Sequence, residues 1–393
     1  MSSDPIVVVG AKRTPIGAFQ GALSGASAVD LGATANAAAL KQAGVNGDEL
    51  SEVLIGCVLP AGVGQAPARQ AALGAGIPTS VPCTTVNKVC GSGMKTAMMG
   101  HNALASGEAD IVLAGGLESM SNAPYLLPKA RGGYRMGHQQ TLDHMFYDGL
   151  QNPYDGNMMG HFAEATSERY GFTREQQDQY SIESVEWALN AIKNGHFKDE
   201  VAPVTYTARR KTITVDQDEE PFNCDIEKIP TMRPAFRRDG GTVTAASSSS
   251  ISDGAASLIL TRQSIAAERK LNVLATLRGA TGFAHEPEWF TTAPSSAIAT
   301  VQAQLGWTVD DVDLYEINEA FACVTMAAMH DVGIPRDKVN VNGGACALGH
   351  PIGATGARLL VTLIYALRNR GLKRGIASLC IGGGEALAVA LEV

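Results

Sequence analysis

One helix–strand unit occurs twice in this chain, and that repeat constrains the fold more than any other feature. Residues 89–118 run through Gly91-Ser92-Gly93, an apolar helix, Gly107, an apolar strand and then Gly115-Gly116-Leu117-Glu118. Residues 353–385 run through Ala354-Thr355-Gly356, an apolar helix, Gly371, an apolar strand and Gly382-Gly383-Gly384-Glu385. The copies differ slightly in length between helix and strand. An internal repeat in an α/β chain implies two similar halves packed about a pseudo-twofold axis. Both glycine-rich turns then face one central cleft.

The rest of the chain alternates in the same way. Strands are expected at 5–10, 52–56, 81–86 and 110–116, with helices at 28–43, 67–73 and 94–106. Later strands are expected at 274–279, 313–317, 338–341 and 376–381, and helices at 295–305, 320–331 and 354–369. This alternation indicates an α/β fold with a mostly parallel sheet and helices on its faces. Residues 119–244 break the pattern, being more polar and richer in Tyr, Gln and Met. There Thr173-Arg174-Glu175-Gln176 is a capping-box signature and predicts a helix over 174–194, closed by Gly195. Long irregular segments such as 129–154 and 201–238 are usually functional in a compact protein. They mark an insertion carrying substrate contacts. Ser247 to Ser250 do not read as a linker, because an apolar run follows at 255–260. The expected organisation is an N-terminal half at 1–118 completed by 245–270, a loop domain at 119–244, and a C-terminal half at 271–393.

The length of 393 residues suits two or three domains of about 150 residues each. A net charge of −8 argues against nucleic acid or an anionic membrane as the main partner, so an anionic small ligand needs a local basic patch. The seven cysteines are odd in number and scattered, without a C-x-x-C pair, so no metal site is expected. That usage fits a reducing, cytoplasmic compartment. A mitochondrial matrix protein stripped of its transit peptide would look the same. Asp4-Pro5 lead straight into Ile6-Val7-Val8-Val9 without a leader pattern, and no apolar run reaches the roughly 18 residues of a membrane span.

Four clusters could meet in the cleft. Cys90 stands where a helix begins; unpaired N–H groups and the helix dipole there favour a thiolate, the nucleophilic form. A free cysteine is equally at home as buried packing. Asn318-Glu319-Ala320-Phe321 follows a strand, and Asn318 could be only a helix N-cap. His350 lies within the glycine-rich stretch 343–353 and could be a hydrogen-bonded structural histidine. Cys380, before Gly382-Gly383-Gly384, could be core packing in a strand. The glycine turns could be plain turns or a dinucleotide cradle, but the full G-x-G-x-x-G is missing. In combination they say more. A cysteine with a histidine in reach is a nucleophile–base pair. A second cysteine beside free N–H groups of a glycine run suits an acid/base next to an oxyanion hole. Two thiols and two oxyanion sites suit acyl transfer coupled to carbanion chemistry.

At these residues the chain resembles the thiolase family, and within it the acetyl-CoA C-acetyltransferases. The matching stretches are 87–93 around Cys90, Asn318-Glu319-Ala320-Phe321, 343–358 and 380–384, together with 12–17, 115–121, 233–236 and 241–244. The resemblance implies a duplicated five-layered α/β/α/β/α fold with an inserted loop domain. It implies condensation of two acetyl-CoA to acetoacetyl-CoA plus CoA, or the reverse cleavage of short 3-ketoacyl-CoA, by a ping-pong route. Cys90 would carry the acyl group, activated by His350, and Cys380 would move the α-proton. The N–H groups of Cys90 and Gly382 would form one oxyanion hole, and His350 with a water held by Asn318 the other. Coenzyme A would be a substrate, with no cofactor and no metal. Arg233 would lie near its adenine and phosphate end, and Ser249 on its pantetheine arm. Met159 and Phe321 would line the acyl end, with Ala245 a further substrate contact. Arg209, Arg210, Lys211, Arg237 and Arg238 are further cations for a polyanionic ligand.

A homotetramer (a dimer of dimers) or a dimer is also implied, with residues 119–155 a candidate for subunit contacts. Some positions depart from the family pattern. Met158 stands where a histidine is common, and Glu385-Ala386-Leu387 where Met-Gly is commoner. Phe290 falls where the acyl pocket often has a smaller residue, and narrowing by Phe290 would favour acetoacetyl-CoA over longer substrates. Cys346, near His350, reads as packing. Two other functions compete. A non-catalytic acyl-CoA or lipid carrier needs none of Cys90, His350, Asn318 and Cys380. A decarboxylating ketoacyl synthase usually lacks the second catalytic cysteine.

Overall fold

The run Ile6-Val7-Val8-Val9 has no polar side, and the computed structural model, which describes residues 4–393, buries it on both faces in strand β1 (Ile6–Arg13). The first half continues with helix α1 (Ala28–Ala43), β2 (Glu52–Gly56), α2 (Pro67–Gly74), β3 (Cys83–Val86), α3 (Ser92–Ser106) and β4 (Ile111–Ser119). The insertion carries α4 (Met159–Tyr170), α5 (Arg174–Lys193) and a hairpin of Val204–Ala208 with Lys211–Val215. Strand β5 (Ser252–Arg262) then returns to lie between β1 and β4. The second half is β6 (Ala275–Ala284), α6 (Ala293–Leu305), β7 (Leu314–Ile317), α7 (Ala322–Val332), α8 (Thr355–Arg370), β8 (Arg374–Ile381) and β9 (Glu385–Glu392).

The duplication shows in the sheet order. The first half runs β3-β2-β4-β5-β1, and the second runs β7-β8-β9-β6 with Val339 bridged to the outer side of β7. Matching neighbours run in matching directions. Strand β2 is parallel to β3 and β4, and β7 is parallel to β8 and to the Val339 bridge. Strands β5 and β9 are antiparallel to both of their long neighbours. The halves join where β1 meets β6 at Val7↔Thr276 and Val8↔Ala275.

The sheet is therefore mixed, not mostly parallel as the alternation suggested. Strand β9 explains part of the difference. It follows β8 through Gly383 and Gly384, whose φ values of +98° and +90° make a tight turn, and a tight turn can only join antiparallel strands. The strand expected at 338–341 is reduced to the single bridge at Val339. A 3₁₀ turn over Arg336–Lys338 takes its start, and Asn340 leaves the extended region at φ +48°.

Helices α1 and α2 cover the outer face of the first half, burying Leu31, Ala35, Val53, Ile55 and Leu113. Helices α6 and α7 cover the outer face of the second, over Ile298, Val301, Tyr315 and Ile376. Helices α3 and α8 lie against each other between the two sheet halves, with Met94, Leu104, Leu258, Leu363 and Leu379 in one core. Helix α8 is buried without a break from Thr355 to Leu367, as a helix held between two sheets must be. Gly356 lets the two helices approach: a Cβ there would stand 2.3 Å from the Met94 nitrogen. This is the α/β/α/β/α layering that the resemblance implies. Local signals hold too. Thr173 and Gln176 close the capping box of α5, and Gly44, Gly107 and Gly371 end α1, α3 and α8 in the left-handed conformation.

Candidate active site

The turns before α3 and α8 meet at the centre of the molecule. Helix α3 begins at Ser92, two residues earlier than its pattern suggests, so Cys90 lies one residue before the cap, Gly91. The backbone before it is bent: Val89 has φ +47°, rare for a β-branched residue. Local bonds impose that bend. Asn87 Oδ1 accepts from the Val89 N–H at 2.9 Å, and Ser92 Oγ accepts from the Lys88 N–H at 2.9 Å and donates to the Val89 carbonyl at 2.6 Å.

Burial pushes the Cys90 thiol up to about 11, although the Gly382 N–H and its own N–H both point at the sulfur and pull the other way. Burial and then Arg358 push His350 down to about 3, so its ring is neutral at ordinary pH. The tautomer follows from hydrogen count. The Thr355 hydroxyl donates to the Pro351 carbonyl at 2.9 Å, so its oxygen accepts from His350 Nδ1 at 2.6 Å. That puts the proton on Nδ1 and leaves Nε2 bare. Nε2 lies 3.5 Å from Asn318 Nδ2, while the buried Asn318 Oδ1 has no partner among the described residues. Asn318 is not an N-cap, since α7 starts only at Ala322 with Phe321 as its cap.

Cys90, His350 and Gly382 border one cavity of about 250 Å³. Ser249, Met159, Phe290 and Phe321 border it too, as do Met158 and Phe236. Cys380, next to last in β8, is fully buried and does not line the cavity, and packs with its lining residues Phe290 and Phe321 and with Cys323. Burial, with Cys90 and Cys323 nearby, keeps its thiol protonated. Arg233 and Ala245 lie exposed at the surface and do not border the cavity, although Phe236 and Ser248, three residues on from each, do. The site is thus a protonated thiol under two N–H donors, a neutral imidazole with a bare nitrogen, and a second buried thiol.

The thiolase N-terminal domain family model matches residues 6–264, and the thiolase C-terminal domain model matches residues 271–393. The chain belongs to the thiolase family. This thiolase is 49% identical over 390 residues to acetyl-CoA acetyltransferase 2 of Arabidopsis thaliana, covering 99% of this chain and 97% of the relative. It is 46% identical to the acetyl-CoA acetyltransferase of Chromobacterium violaceum, covering 98% and 99%. Among solved structures, the Bacillus anthracis acetyl-CoA acetyltransferase superposes with a TM-score of 0.97 at 40% identity, covering 100% and 99% of the two chains. The Ascaris suum Acat5 thiolase in complex with coenzyme A superposes at 0.93 with 41% identity, covering 99% of each.

Two residues of this thiolase had no role in the sequence reading. Glu319 accepts from Tyr180 and Ser184 of α5, Asn340 Nδ2 and the Cys346 N–H, all within 3.0 Å, and so ties the insertion to the stretch leading to His350. Phe236 reaches the cavity because Gly160 makes room; a Cβ there would stand 2.2 Å from its ring. Cys346 donates its thiol to the Glu319 carbonyl, in keeping with packing.

The protonation states fix a pH dependence. A raised thiol pKa puts more thiolate on Cys90 as pH climbs toward 11, and a lowered His350 pKa leaves no imidazolium to hold a thiolate at neutral pH. Alkylation of Cys90 by iodoacetamide in the free protein is expected to keep rising through about pH 9. A plateau reached near neutrality would instead show a preformed thiolate–imidazolium pair.

Proposed function

We propose that the chain joins two acetyl-CoA into acetoacetyl-CoA and CoA, and runs the reverse cleavage, through an acyl group carried on Cys90. The observation that carries this reading is the Cys90 thiol under the Gly382 N–H, in one cavity with the bare Nε2 of a neutral His350. His350 Nε2 takes the thiol proton as the sulfur attacks the thioester carbonyl carbon. The N–H groups of Cys90 and Gly382 receive the developing oxyanion, and His350 returns the proton to the leaving CoA thiolate. Cys380 passes its thiol proton to His350 Nε2 and, as the thiolate, takes a proton from the α-carbon of a second acetyl-CoA, whose enolate oxygen is held by the Nε2–H of His350 and a water on Asn318. The enolate carbon attacks the thioester on Cys90 and releases the Cys90 thiolate, which takes its proton back from His350.

The names of the relatives support acetyl-CoA as substrate, and the Ascaris suum complex supports coenzyme A as the group bound. CoA is then a substrate, not a cofactor. Its adenine and phosphate end runs past Arg233 on the surface, and its pantetheine arm past Ser249 and the loop at Ala245. Residues 119–244 act as the substrate-contacting loop domain of a cytoplasmic homotetramer. No helix among the described residues is long and apolar enough to cross a membrane. The test is CoA-dependent loss of the magnesium-enolate absorbance of acetoacetyl-CoA. Turnover is expected; binding of CoA without turnover would make the chain a carrier and overturn the proposal.

Phe290 sets the chain length in this reading. It is buried against the cavity, edge-on to Phe162 with ring centres 6.3 Å apart. Phe290→Ala is expected to raise kcat/KM for 3-ketohexanoyl-CoA relative to acetoacetyl-CoA by about tenfold. An unchanged ratio would remove Phe290 from specificity.

A further inference from the structure

We infer that Glu118 is a positioning residue, a buried latch that holds the turn of His350 against the turn of Cys90. The inference rests on the reaction proposed above. Glu118 lies in β4, fully buried, and no ion pair engages it among the described residues. Its carboxyl is satisfied by donors from two remote segments. Oε2 accepts from the Val58 N–H at 3.0 Å and the Gly353 N–H at 2.9 Å. Oε1 accepts from the Leu59 N–H at 3.1 Å and the Cys57 thiol at 3.7 Å. A buried carboxyl without a cation is costly, so its retention calls for a reason beyond stability.

Gly353 supplies that reason. It lies three residues after His350 and two before Thr355, the residue that orients the His350 ring. Glu118 holds its N–H, and its carbonyl oxygen sits in a socket of three glycines. A Cβ on Gly116, Gly56 or Gly93 would stand 2.1, 2.8 or 3.1 Å from that oxygen. Those glycines belong to β4, β2 and α3, and Gly93 is three residues after Cys90. Gly353 of the His350 turn is therefore clamped through both its N–H and its carbonyl by the half that carries the nucleophile.

The repeat sharpens the point. With Gly91-Ser92-Gly93 matched to Ala354-Thr355-Gly356, Gly353 occupies the place of Cys90 in the other half. Glu385 occupies the place of Glu118, yet it is half-buried and pairs with Lys88. One of two equivalent turns supplies the sulfur, and the other is locked in place.

Position and charge predict opposite results. Burial pushes the Glu118 carboxyl up to about 7; above that pH its charge raises the Cys90 pKa, so losing the charge alone would speed alkylation of Cys90 there. Losing the latch would slow it. Glu118→Gln keeps the shape but turns an NH₂ toward backbone donors. Gly353→Ala places a methyl group 2.6 Å from Glu118 Oε2 and 2.7 Å from the Leu117 carbonyl. Each is expected to lower kcat about 10- to 100-fold, with KM for CoA within about twofold, and to slow Cys90 alkylation by iodoacetamide in parallel. Cys57→Ala keeps the three backbone donors and is expected to leave kcat unchanged. Unchanged kcat in both latch variants, or faster alkylation in Glu118→Gln, would overturn the inference. If neither variant folds, hydrogen exchange on the unaltered protein decides. Residues 350–356 are expected to resist deuteration for hours, and exchange within seconds would refute the clamp. Absent turnover in the unaltered protein would refute the proposed reaction instead, leaving alkylation and exchange to judge the latch.

Discussion

Cys90→Ser is expected to lower kcat for acetoacetyl-CoA cleavage by at least about 10³-fold while KM stays close to its starting value. The substitution changes one atom and leaves the Gly382 and Cys90 N–H groups in place. A serine hydroxyl is far less acidic than a thiol. The base on the same cavity is a neutral His350, held down to about 3 by burial and by Arg358. Such a weak base can take a proton from a thiol as its sulfur attacks, because sulfur is a good nucleophile even when its proton leaves late. It cannot do the same for a hydroxyl. Steady-state kinetics over a range of acetoacetyl-CoA and CoA give both constants. A variant rate equal to that of the unaltered protein would remove the covalent role of Cys90.

Cys380→Ser is expected to separate the two halves of the reaction. In the proposed reaction, acyl transfer onto Cys90 uses His350 and the two N–H groups, and Cys380 enters only at the α-carbon. The proposed reaction assigns proton removal from the second acetyl-CoA to Cys380, packed with Phe290 and Phe321 near the end of β8. Condensation is therefore expected to fall about 10²- to 10⁴-fold, the range of a lost acid/base group, with acylation of Cys90 retained. Exchange of methyl deuterium from labelled acetyl-CoA into water reports the proton step alone. Exchange at the rate of the unaltered protein would assign that step to another residue.

Much of this arrangement was legible in the sequence because its signals are local. The duplicated turns survive as short glycine patterns at matched spacing. Helix ends at Gly44, Gly107 and Gly371, and the capping box at Thr173, are set by a few neighbouring residues. Cys90, His350 and Gly382 each stand out in a glycine-rich turn, and the structure places them on one cavity. What escaped was non-local. Strand direction depends on which edge a strand joins, so the antiparallel β5 and β9 were invisible in an alternating pattern. Glu118 looked like the end of a motif because its donors come from 57–59 and 353. Phe236 enters the cavity only because Gly160, more than seventy residues earlier, leaves space for its ring. Arg233 and Ala245 sit on the surface beyond the cavity wall, so the cavity itself neither supports nor opposes the substrate contacts expected of them.

The central claim is that the acyl group rides on the Cys90 sulfur. Mixing the protein with acetyl-CoA alone, quenching in acid and mapping its peptides by mass spectrometry tests this directly. The prediction is the mass of one acetyl group on the Cys90 peptide, lost when CoA is added before the quench. Acetylation on the Cys380 peptide, or turnover with no acetylated peptide, would contradict it.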